Sequence, residues 1–216
     1  MTFDAKVIWS NLGFLLLGAA ATVKVSVFAL ALALLIGIAA GIAGASRIKV
    51  LQSFQQTYAY VIRGIPLLVL LFIVYFALPF IGLVLPAFTA GVIALGVNSG
   101  AYISEIVRAG IESLEREQWE AASLDGAAHW QILFHVLLPQ AVRRITAGTT
   151  NELISLVKGS SLLAVIAIFE LTRAAQIVAS AQFVPFEMYL ASGLIYLLMV
   201  SVLIRISYVF ERRVFD

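Results

Sequence analysis

The run 151-NELISLVKGSSLL-163 carries a carboxylate and an ammonium group, Glu152 and Lys158, in what its place between apolar segments makes a membrane stretch. On a helix, Asn151, Ser155 and Lys158 fall at i, i+4 and i+7 along one stripe, with Glu152 turned about 100 degrees from it and Ser161 following in the same run. Asn98, Tyr102 and Glu105 repeat that spacing upstream. An ionised side chain at the centre of a bilayer costs about 3 kcal/mol or more, so it faces a bundle interior or a wet cavity and not lipid. The chemistry that suits two such stripes is recognition and passage of a polar solute between them. For Asn98, Tyr102 and Ser155 an equally good account is mutual hydrogen bonding that ties helices together. The two ionisable groups on the later stripe favour a pathway.

The composition puts these groups at membrane depth. Of 216 residues, 62% are hydrophobic and 12% charged, and the mean hydropathy is +1.03; soluble domains are about half apolar and about a quarter charged. Runs of about 20 apolar residues, the length that crosses hydrocarbon as a helix, occur at about 22 to 45, 64 to 85, 87 to 107 and 188 to 207. Stretches such as 27-VFALALALLIGIAAGIAG-44 are apolar all round, which excludes the alternation of a β-barrel. The sequence therefore predicts an all-α integral membrane protein, a single transmembrane domain over residues 1–216. The opening 1-MTFDAKVIWSNLGF-14 leads into an apolar tract too long for a signal-peptide core and predicts an uncleaved lead-in. Without cysteine the chain forms no disulfide or thiolate metal site. His129 and His135, six apart, do not share one helix face as a metal pair would, and no metal site is expected.

Positive charge gives the orientation. Lysine and arginine concentrate at 46-SRIK-49, at Arg63, between Arg108 and Arg144, and between Arg205 and Arg213. Cytoplasmic loops carry that excess, so the N-terminus is expected outside and the C-terminus inside. Opposite ends require an odd number of crossings, so four clear spans imply a fifth. It must lie between Arg144 and Glu187, and the polar-dotted segment from about 139 to 168 is the candidate. Five transmembrane helices are thus expected, with Arg63 as a boundary cation, 51-LQSFQQTYAYVI-62 as a partly amphipathic approach, and 169-FELTRAAQIVASAQF-183 as a short outer helix.

Between the third and fourth of these spans lies 112-ESLEREQWEAASLDGAAHWQILFHVLLP-139. After Gly126, Trp130, Leu133, Phe134, Leu137 and Leu138 follow the i, i+3, i+4, i+7, i+8 pattern of an amphipathic helix. Before Gly126, small and acidic residues suit a second short helix that permits close approach. Gly126 supplies the break, and Pro139 suits the first turn of the next helix. A helix lying on the headgroups would account for the second half, but poorly for the first.

Glu120-Ala121-Ala122, three residues, Gly126, nine residues, Val136, one residue and Leu138-Pro139 resemble the EAA loop of bacterial ABC importer permeases. Val136 stands where that pattern usually has isoleucine, and Glu117 where those permeases often have glycine. The likeness extends through 63-RGIPLLVLLF-72, 101-AYISEIVRAGI-111, 139-PQAVRR-144 and 151-NELISLVKGSSLL-163 to permeases for polar amino acids: histidine, glutamine, arginine and opines.

The resemblance implies a multi-pass subunit of the bacterial inner membrane, paired with a second copy or a sister permease. Its expected partners are a cytoplasmic ABC ATPase dimer that docks on the coupling loop (about 112–139, with Glu120, Ala121, Ala122, Gly126 and Pro139), a periplasmic or surface solute-binding protein, membrane lipid, and no nucleic acid. The chain lacks a G-x-x-x-x-G-K-[ST] phosphate loop, so it is expected to hold no cofactor itself, with ATP bound by the partner, and to be no enzyme. The substrate-binding candidates are Asn98, Tyr102, Glu105, Asn151, Glu152, Ser155, Lys158 and Ser161. Lys158 would meet an α-carboxylate and Glu152 an α-ammonium or cationic side chain, which leans towards a basic amino acid. The alternative is a secondary amino-acid transporter or channel not driven by ATP; it would need no cytoplasmic loop of this kind and often shows internal repeats, which the sequence lacks.

Overall fold

The structure, a computed structural model, describes residues 3–46, 48–113 and 138–215. Glu120, Ala121, Ala122 and Gly126 lie outside the described residues, as do both histidines. The described residues form helices and short turns, with no strand among them.

Helix α1 runs unbroken from Ala5 to Ala45. The Asp4 carboxylate caps it by accepting from the Lys6 N–H at 2.9 Å. The apolar run alone predicted a first span beginning near residue 22. Lys6, Ser10 and Asn11 kept the opening turns out of that run, but packing against later helices makes them helical. At about 1.5 Å per residue the 41 residues extend roughly 60 Å, about twice a hydrocarbon core.

The two halves of α1 serve two cores. Towards its C-terminal end, glycines and alanines recur on the face that meets α4 (Ala87–Glu112). A Cβ added at Gly37 would lie 2.5 Å from Ile103, and one at Gly41 2.5 Å from Val107, so the two backbones approach as only glycine permits. Val25, Ala29, Ala33, Leu95, Ile103 and Val107 fill that core. Nearer the N-terminus, Leu15 and Ala19 of α1 pack with Leu171, Ala174, Met188 and Ala191 in a second cluster.

Helix α2 (Lys49–Gly64) is amphipathic and buries only Gln55 and Ala59. It meets α3 (Leu67–Phe72) at a bend of 100° across Ile65-Pro66. A π turn over Ile73–Ala77 and a 3-10 turn over Leu78–Ile81 continue α3, and Gly82, at φ 84°, ends it. The single straight span expected over 64 to 85 is therefore a shorter, broken element. Pro79 cannot donate a helical hydrogen bond, and the left-handed Gly82 closes the last turn on the carbonyls of Leu78 and Pro79.

Helix α5 (Leu138–Gly159) carries Pro139 in its first turn, as expected, and tightens into a 3-10 segment over Ser160–Ile166. After a 46° bend comes α6 (Leu171–Gln182), the short helix the sequence predicted, and then α7 (Pro185–Phe215). Among the described residues, three helices are long and apolar enough to cross a membrane, or up to five if each bent pair is one crossing. Within its most apolar stretch α4 is 61% buried and α7 only 11%, so α4 is the central post and α7 the periphery.

Candidate functional site

The first stripe sits on α4. Asn98, Tyr102 and Glu105 are half-buried, but they do not simply wait for a solute. Glu105 accepts from Gln55 Nε2 at 2.7 Å on Oε1 and from Arg108 Nη2 at 2.9 Å on Oε2, and Arg63 Nη1 lies 3.8 Å from that same Oε2. Arg108 continues the chain of charges to Glu112 at 2.6 Å. The i, i+3 and i, i+4 spacings place these groups side by side on one helix. Gln55, fully buried, holds α2 against this network and also donates to Ser104 at 3.1 Å.

Arg63 is the residue the sequence undervalued. Its guanidinium stands 5.0 Å from the centroid of the Tyr102 ring, a stacking that holds a planar cation in place. Its charge also lies within electrostatic reach of Glu152 of α5, whose carboxylate faces Ser99 of α4. One cation from α2 thus links Tyr102, Glu105 and Glu152. The boundary position of Arg63 concealed this, because a cation there is expected for topology alone. The signal was available in its position immediately before Gly64-Ile65-Pro66, where the chain turns sharply.

The second stripe is divided. Glu152 turns inward to α4, half-buried, whereas Asn151, Ser155 and Lys158 stand exposed along α5. Ser155 donates to the Asn151 carbonyl at 3.1 Å and Ser161 to the Lys158 carbonyl at 2.8 Å. The Lys158 ammonium has no ion-pair partner among the described residues. The structure therefore brings Glu152 to the α4 stripe and leaves the remainder of its own stripe on an open face of the subunit. At membrane depth such a face needs water or another polypeptide over it.

At the ends that flank residues 114–137, Arg144 of α5 donates to the Ser113 carbonyl at 2.5 Å and to its hydroxyl at 2.7 Å. This clasp fixes the distance between the point where the chain leaves α4 and the point where it rejoins at α5. Of the residues expected to meet an ATPase, Pro139 alone lies among the described residues.

A second buried polar cluster went unnoticed in the sequence. Glu170, fully buried, caps α6: it accepts from the N–H groups of Thr172 at 2.9 Å and Arg173 at 2.6 Å and from the Tyr196 hydroxyl of α7 at 2.7 Å. The adjacent Leu171 N–H donates to Thr22 of α1 at 3.1 Å. Glu170→Ala strands these donors, at about 1–3 kcal/mol each when buried. Thermal unfolding in a neutral detergent is expected to show a midpoint lower by at least ~5 °C, with Glu170→Gln recovering part of the loss. An unchanged Glu170→Ala midpoint would refute the capping role.

The family described as binding-protein-dependent transport system inner membrane component matches residues 33–216. The probable amino-acid ABC transporter permease protein YckA of Bacillus subtilis (strain 168) is 35% identical over 211 residues, 98% of this chain and 93% of that protein. The arginine transport system permease protein ArtQ of the same strain is 36% identical over 214 residues, 99% and 98%. The crystal structure of an amino acid ABC transporter with histidines superposes at TM-score 0.91 and 37% identity, covering 99% of this chain and all of that one. An inward-facing structure of the MetNI methionine ABC transporter, at 19% identity and TM-score 0.78, shares the fold. With likeness running nearly from end to end, the chain belongs to the binding-protein-dependent transport system inner membrane components, among the ABC transporter permease subunits of the amino-acid type, and is a transport protein of the bacterial inner membrane, not an enzyme.

Proposed function

We propose that this subunit forms the membrane pathway of an ATP-driven importer of polar amino acids that carry a cationic group. The observation that carries the reading is the inward-turned, half-buried Glu152, against Ser99 and within the field of Arg63, at the junction of α2, α4 and α5. A carboxylate in that place suits an ammonium or guanidinium group, and Lys158 on the neighbouring open face suits the α-carboxylate. Asn98, Tyr102, Asn151, Ser155 and Ser161 supply neutral contacts. Glu105, paired with Arg108 and Arg63, orients Arg63 more than it touches solute. The names of relatives divide between glutamine permeases on one side and an arginine permease and an amino acid transporter with histidines on the other, so the cationic side chain is argued from Glu152.

In this account the N-terminus is outside and the C-terminus inside. A second copy or sister permease covers the open face of α5, a solute-binding protein delivers the amino acid, and an ATPase dimer grips the loop that contains Glu120, Ala121, Ala122 and Gly126 and rejoins the membrane at Pro139. ATP stays on that partner. Closure of the ATPase dimer rocks the paired permeases between inward and outward access about a midplane site. The test is reconstitution of the permease with its ATPase and binding protein in vesicles. ATP-dependent uptake of arginine or histidine well above alanine is the expected result; uptake that runs equally without ATP, or that ignores cationic amino acids, overturns the proposal.

A further inference from the structure

The peripheral helix α7 carries a feature that solute passage does not use. Ser201, Arg205, Tyr208 and Arg212 recur at i, i+4, i+7 and i+11, one stripe of the helix. Ser201, Ile204, Arg205 and Tyr208 line a shallow surface cleft, and the Arg212 guanidinium lies over the Tyr208 ring, 4.9 Å from its centroid. Arg205 is exposed and has no ion-pair partner among the described residues. One and two turns earlier the same side of the helix presents Leu194, Leu197 and Leu198, which are 53%, 61% and 65% exposed. Ser201 adds no free donor there, because its hydroxyl is spent on the Leu197 carbonyl at 2.7 Å.

Depth follows from helix geometry. Arg205 comes 20 residues after Pro185, where α7 begins; at 1.5 Å per residue that is roughly 30 Å, the thickness of the hydrocarbon layer. The leucines therefore lie at acyl-chain depth and Arg205 at the headgroup boundary, while Arg212, about 10 Å further along the axis, reaches back over the Tyr208 ring towards that level. An apolar track ending in a pair of guanidinium groups is complementary to one kind of molecule that a membrane contains in quantity. We propose that this stripe is a binding site for an anionic phospholipid, its phosphate held by Arg205 and Arg212 and one acyl chain lying along Leu198, Leu197 and Leu194. Tyr208 holds the Arg212 plane, so that the fork is set before the lipid arrives. A zwitterionic lipid offers the same phosphate with a cation attached, and binds less well.

The experiment uses the full-length permease assembled with its ATPase, purified in a neutral detergent and titrated with phosphatidylglycerol or phosphatidylcholine, bound lipid being counted by native mass spectrometry. Each arginine near the headgroup plane contributes about fivefold in affinity, so the double variant R205Q/R212Q is expected to bind phosphatidylglycerol about 25-fold more weakly. The Lys49→Gln variant, which removes an exposed cation elsewhere, is expected to stay within about twofold of the parent. Ser201→Trp, which fills the acyl track and keeps both arginines, is expected to weaken phosphatidylglycerol as well. Equal binding by parent and double variant, an equal loss in the Lys49→Gln control, or full competition by inorganic phosphate would overturn the proposal. So would the absence of lipid binding in the assembled complex when the isolated permease binds it, since a protein partner would then own this face.

Discussion

Replacing Glu152 with glutamine is expected to lower uptake of arginine by about 10- to 100-fold while leaving glutamine uptake within about threefold. The range is the contribution of one charge-assisted hydrogen bond, about 1.5–3 kcal/mol, converted at 1.4 kcal/mol per tenfold. The substitution keeps size and one acceptor oxygen for Ser99 and removes only the charge, so α4 and α5 remain packed. Glu152→Asp, which keeps the charge but withdraws it by one methylene, is expected to fall between. Vesicle uptake under ATP, with both amino acids in the same preparation, reads the ratio directly. If arginine and glutamine lose equally, or neither changes, Glu152 is a helix-packing residue and the solute sits elsewhere.

The second large effect is expected at the coupling loop. Gly126→Leu should lower solute uptake at least tenfold while the assembled ATPase continues to hydrolyse ATP. A glycine at the break that the sequence predicts between two short helices suits the left-handed conformation that ends a helix, which costs a branched side chain about 1–2 kcal/mol. The clasp from Arg144 to Ser113 keeps the ends of the loop together, so the defect is confined to the knuckle and the bundle retains its fold. Co-purification of ATPase with the variant separates loss of docking from loss of coupling. Normal uptake per ATP hydrolysed would remove Gly126 from the transmission path.

Much of the fold could be seen in advance because membrane helices announce themselves one at a time. The apolar runs of α1, α4 and α7 are long enough that hydrocarbon thickness alone identifies them. What escaped was set by partners distant in the chain. The beginning of α1 at Ala5 depends on α6 and α7, more than 150 residues later. Glu170 looks like a stray acid until Tyr196 and the N-terminus of α6 close around it. The break in α3 was written locally, in Pro66, Pro79 and Gly82, but a hydropathy average passes over such punctuation. The candidate site was legible by half. Spacing gave two stripes and set Glu152 off the second, but it did not reveal that Arg63 enters between them.

The length of α1 bears on how the protein moves. One uninterrupted rod forms a wall of both packing regions, with glycine contacts against α4 too tight to slide. A rod seated in both regions admits no hinge between them. On the proposed rocking of paired permeases, a swing that begins near the ends of α4 and α5 would be carried along it to α6 and α7, each subunit would tip as a solid block, and the opening and shutting would fall to the seam between neighbours.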